Sequence, residues 1–218
     1  MLQAMASPMM AAPALASLMG LDATLVLVTL ITSTALIPFT APLFAYVFIG
    51  PVLKIAPLTL GIKLLAILAG SALVGFAVRR MVGLRAIERQ KERIDGFNIL
   101  VLFVFVAAVM ESVAPRFLAA PLITIGLAAL AFLVFGAVLG LTTLLFGYAG
   151  RERALALGFM ASQRNLGLML AATGGALPDL TWLYFALSQF PIYLSPLLLQ
   201  PIARRMLAQT QIAPTPRK

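Results

Sequence analysis

The stretch GFMASQRNLGLMLAA, residues 158–172, sets Ser162, Gln163, Arg164 and Asn165 side by side between apolar runs. A guanidinium is a planar fork of N–H donors that matches carboxylate and sulfonate geometry. Arg164 is therefore the first candidate for chemistry, as a binding group for an organic anion. Ser162, Gln163 and Asn165 beside it, and Gln189 further along, are the polar side chains grouped with it as candidate substrate contacts. An arginine at the centre of a membrane helix costs roughly 2.5–3.5 kcal/mol on insertion scales, so it must face protein or water and hold a partner. Other chemistries find little support. The chain has no histidine and no cysteine, and no two embedded carboxylates share a segment. That leaves no nucleophile–base pair and no metal site, which argues against an enzyme and against any cofactor or bound metal.

The elements that must position these residues are membrane segments. Of 218 residues 62% are hydrophobic and only 11% are charged, well below the quarter or so of a soluble domain. Residues 23–53, 117–150 and 180–203 hold no charge at all. Each run exceeds the roughly 20 residues needed to cross about 30 Å of hydrocarbon. Such runs must be helical, because a lone strand leaves its polar backbone unsatisfied in lipid. The reading is an all-α integral membrane protein with the bilayer as its first partner. It has a short apolar piece at 8–19, long segments at about 23–49, 57–78, 97–114 and 118–148, an interrupted segment at about 152–174 and a last one at 181–206. Residues 1–206 form a single transmembrane domain, and 207–218 a polar, Pro-containing tail.

Charge supplies an orientation. The loop RRMVGLRAIERQKERID (79–95) carries Arg79, Arg80, Arg85, Arg89, Lys91 and Arg93. Two crossings later come Arg151 and Arg153, and two more bring Arg204, Arg205, Arg217 and Lys218. Loops on the other side hold only Lys54, Arg116 and Asp179. The net charge of +9 is thus distributed as a topology signal rather than as a nucleic-acid surface. It predicts a multi-pass cell-membrane protein, of bacterial inner-membrane type, with a cytoplasmic C-terminus. The first twenty residues lack the basic start of a signal peptide.

One pattern occurs twice. The piece at 8–19, with Pro8 and Pro13, leads through Asp22 into a segment closing with Pro38 and Pro42. The interrupted segment leads through Asp179 into one closing with Pro196 and Pro201. A broken helix followed by a Pro-marked helix, repeated, points to a transporter with internal repeats. From about residue 8 to 206 the chain resembles the last two thirds of the bile acid:sodium symporter family. The resemblance is carried by MGLDATLVLVTLITSTALIPFTAP (19–42) and FMASQRNLGLMLAATG (159–174), with 181–206 in the place of the tenth helix. It implies ten helices in two inverted repeats, with broken fourth and ninth helices crossing at mid-membrane. Residues 8–50 would then end the first repeat and 57–206 form the second. The first three and a half helices would be lacking, which implies either a fragment or association with a chain that supplies them.

The resemblance also implies a sodium site, which the residues do not provide. The ligand positions fall on Ala12, Pro13, Val26, Leu30, Met160 and Arg164, none of which offers an oxygen side chain. Four roles are open to Arg164. It is a tethered charge in the cation's place, an attractor for an anionic substrate, the partner of Glu111, or a surface residue that snorkels. The expected function is Na⁺-independent secondary transport of a small organic anion at the crossing of the half-helix 8–19 with the break near 162–165. The alternative is a non-transporting membrane fragment or subunit.

Overall fold

A computed structural model describes residues 2–49, 56–111, 113–173 and 179–212. Apart from a two-strand bridge, the regular structure among them is helical. Among the described residues five helices are long and apolar enough to span a membrane, and they lie within Ala23–Phe48, Pro57–Val82, Gly96–Ala119, Pro121–Leu145 and Asp179–Arg205. In chain order the elements are α1 (Leu2–Met5), α2 (Ala12–Leu18), α3 (Ala23–Phe44), α4 (Pro57–Val82), α5 (Leu84–Arg89), α6 (Lys91–Met110), α7 (Val113–Ala119), α8 (Pro121–Leu145), α9 (Arg151–Ser162), α10 (Leu166–Thr173) and α11 (Asp179–Ile212).

Local chemistry sets the boundaries. Asp22 caps α3, its Oδ1 accepting from the Leu25 N–H at 2.9 Å. Pro57 and Pro121 open α4 and α8 at a first-turn position where the missing N–H costs nothing. Gly83 and Gly150 stand at φ +80° and +98°, turning the chain into α5 and α9; a side chain there would be strained. The prolines at 38 and 42 lie inside α3, and those at 191, 196 and 201 inside α11. Two glycines let helices approach. A Cβ on Gly61 would lie 2.9 Å from the Pro38 carbonyl and from Pro42 Cγ, and one on Gly158 would meet Thr143 Oγ1 and lie 2.7 Å from the Leu139 carbonyl.

Two places differ from the sequence expectation. The piece at 8–19 is not one helix, since the chain is non-helical from Ala6 to Ala11 and α2 starts at Ala12. The reason lies in Pro8, which has no N–H to donate and disfavours the helical region for Ser7 before it. The second place is the turn after α6. The short helix α7 stands between α6 and α8, where the sequence reading has a loop at 114–117 between the segments 97–114 and 118–148.

The core divides into two apolar clusters. One joins α1 and α10 to the ends of α3 and α6 and the starts of α4 and α11, through Met5, Ile37, Ala41, Leu60, Leu64, Val109, Met169, Ala172 and Phe185. The other joins α2 and α9 to the start of α3, the middle of α8 and the end of α11, through Ala12, Ala16, Val26, Phe135, Phe159, Met160, Leu199 and Ala203. Each cluster takes one half of each broken helix and the helix ends that alternate crossing places on one side. The polar breaks lie between the two.

Candidate functional site

The site is built where two interruptions meet. α9 ends at Ser162, α10 begins at Leu166, and Gln163 to Asn165 between them are non-helical. Against them runs the extended stretch around Ser7 and Pro8, forming an antiparallel bridge between Pro8 and Arg164. The Met9 N–H donates to the Gln163 carbonyl at 2.9 Å, and the Asn165 N–H to the Ser7 carbonyl at 2.7 Å. A broken helix in lipid leaves backbone groups that cost several kcal/mol each if unpaired. Here each break supplies the partners of the other, as two strands of a sheet would.

The side chains divide by face. Residues opposite one another in an antiparallel pair share a face, and neighbours along the strand alternate. Pro8 and Arg164 therefore take one face, and Ser7, Met9, Gln163 and Asn165 the other. Gln163 is fully buried; its Nε2 donates to Ser195 Oγ at 2.6 Å and reaches the Ile192 carbonyl at 3.5 Å. Ser195 in turn donates to the Ile192 carbonyl at 2.6 Å. This ties the break to α11. Gln163 Oε1 and Ser7 Oγ, both buried, have no partner among the described residues. Asn165 caps α10, its Oδ1 accepting from the Leu168 N–H at 3.1 Å. Ser162 turns its hydroxyl back to the Phe159 carbonyl of its own helix at 2.8 Å.

Arg164 is half-buried and donates from Nη1 to the Ala6 carbonyl at 3.0 Å. Among the described residues no acid pairs with it. Glu111, one of the partners considered from the sequence, is exposed at the end of α6 and forms no ion pair with it. The guanidinium thus has one carbonyl contact and further N–H donors beyond it. It stands beside the N-terminus of α10, where the helix dipole places partial positive charge. The arrangement can hold an oxyanion.

Four of the five candidates from the sequence come together here, and Gln189 does not. Its Nε2 donates to the Phe185 carbonyl at 3.3 Å, and the residue lines a separate cavity of about 360 Å³ between α6 and α11. Phe103, Val106 and Met110 form one wall of that cavity, and Phe190, Tyr193 and Leu194 the other. Sequence reasoning missed the other half of the crossing, Ala6, Ser7 and Met9, although the Ser7–Pro8 step was its signal. It also missed Ser195, for which the sequence offers no pointer.

The positions of the sodium site that the resemblance implies are held by apolar residues and Arg164. Ala12, Val26 and Met160 pack in one apolar cluster with Phe135 and Phe159, and Leu30 is also buried. Hydrocarbon fills the place where oxygen ligands would stand, so these residues do not fit the ion. Among the described residues no group of three or more His, Cys, Asp or Glu side chains is placed to hold a metal. Comparison with known protein families, with curated proteins and with solved structures finds no match.

Proposed function

We propose that the protein is a secondary transporter of small organic anions, of the bile acid:sodium symporter type suggested by residues 19–42 and 159–174, working without Na⁺. The observation that carries this reading is Arg164, a half-buried guanidinium at the crossing of two breaks, held by the Ala6 carbonyl and, among the described residues, unmatched by an acid. It binds the carboxylate or sulfonate of the substrate, with the start of α10 close by along the chain. A cation at the crossing is disfavoured, because two unit charges about 4 Å apart repel by roughly 4 kcal/mol at an effective dielectric of 20.

The test is uptake of labelled organic carboxylates and sulfonates into proteoliposomes, in Na⁺ and in choline buffer. Equal uptake in both, abolished by Arg164→Gln and partly kept by Arg164→Lys, is the expected result. Strong Na⁺ stimulation of the unmodified protein overturns Na⁺ independence, and full uptake by Arg164→Gln overturns the role of the arginine.

A second reading, a membrane subunit that works only with another chain supplying further helices, draws on a separate observation. Only 6% of the α4 span and 7% of the Gly96–Ala119 span are buried, against 56% of the α11 span. No uptake by the purified chain alone, with uptake restored in native membranes, favours that reading.

A further inference from the structure

The segment between α4 and α6 concentrates positive charge, six basic residues over 79–95 against Glu88, Glu92 and Asp95. Arg79 and Arg80 end α4, Gly83 turns the chain, α5 carries Arg85 and Arg89, and Lys91 and Arg93 open α6. All six side chains are exposed, and among the described residues none forms an ion pair, although Glu88 stands between Arg85 and Arg89. Large apolar side chains are exposed among them: Met81 at 85%, Val82 at 53%, Leu84 at 50% and Ile94 at 41%. A segment facing water gains nothing from such groups. At a bilayer boundary they enter the acyl region while the guanidinium groups stay level with the phosphates.

We infer that residues 79–93 form a docking surface for the headgroups of anionic phospholipids in the leaflet on that side. The segment is tethered at both ends to spanning helices, which holds its charges near the membrane boundary, inside the roughly 10 Å over which charge acts at 0.1 M salt. The interleaved apolar residues favour lipid over a soluble polyanion. Arginine forks on α5 bind phosphate oxygens bidentately, and Gly83, at φ +80°, lets α5 leave the axis of α4. This surface is independent of the transport reading.

The test uses the full-length protein in nanodiscs of phosphatidylcholine, with or without about 30 mol% phosphatidylglycerol. Lipids retained after extraction are counted by native mass spectrometry, and thermal unfolding is followed in parallel. The unmodified protein is expected to retain phosphatidylglycerol over phosphatidylcholine and to melt higher in its presence. Arg85→Gln, Arg89→Gln and Arg93→Gln together should weaken that preference by at least about tenfold, while the three Arg→Lys changes keep it. Far-UV circular dichroism shows whether the glutamine variant is folded, and a misfolded one is replaced by Arg85→Gln alone. Absence of a lipid preference in the unmodified protein overturns the inference, as does an unchanged preference in the glutamine variant. Equal stabilisation by dissolved inorganic phosphate, or by an RNA oligonucleotide in phosphatidylcholine discs, overturns it as well.

Discussion

Gln163 and Arg164 are adjacent in the chain and opposite in use. One is sealed from solvent and bonded to α11; the other is half open with donors to offer. The pair Gln163–Ser195 should behave as one buried hydrogen bond. A double-mutant cycle with Gln163→Met and Ser195→Ala is expected to give a coupling of about 1 kcal/mol in unfolding stability. A coupling near zero would show that the bond does not hold the break to α11. Asn165→Ala should cost about 1 kcal/mol through loss of the α10 cap, with Asn165→Asp retaining most of it. Arg164 was legible in the sequence, because an arginine in an apolar run demands an explanation. The partner of Gln163 was not, since Ser195 lies 32 positions away and serines in membrane helices commonly bond to their own backbone.

Helix existence was legible in the long apolar runs, while close approach between helices was not, because it depends on which face of each helix meets the next. Gly158 shows the difference. In the sequence it is a glycine near a break; in the fold it lies in the contact of α9 with α8, against Leu139 and Thr143. Gly158→Ala should destabilise the protein by about 1–3 kcal/mol. Adding Thr143→Ala should recover only part of this, since the Leu139 carbonyl at 2.7 Å remains in the way. Full recovery would mean that the hydroxyl alone sets the spacing. The first break was misread for a related reason. A run of apolar residues from 8 to 19 has helical character, and the constraint that ends it acts on Ser7, one residue outside the run.

For the whole molecule, the sequence indicated alternating crossings, and the two apolar clusters group the helix ends as that alternation requires. Which cluster faces the cytoplasm is read from charge alone. The absence of cysteine makes the orientation directly measurable. Single substitutions Gln90→Cys and Ala56→Cys, both at exposed positions, are expected to react with an impermeant maleimide from opposite sides, Gln90 from the cytoplasm. Labelling of both from one side would break the alternation, and labelling of Gln90 from outside would invert the molecule.

The bridge between Pro8 and Arg164 joins residues separated by nearly the whole membrane domain. A ribosome adding roughly 5–20 residues per second needs about 8–30 s to make the intervening chain. Through that interval the carbonyls of Ala6 and Ser7 and the Met9 amide have been synthesised, and the groups they bond in the finished fold have not. They must wait in water or in the insertion machinery, because lipid would leave them unpaired. The stretch from Ala6 to Met9 is therefore among the last parts to settle in the bilayer, although it is made well before its partners. A nascent chain arrested before α9 should leave a cysteine placed at Ser7 open to a water-soluble reagent, and release past α10 should close it.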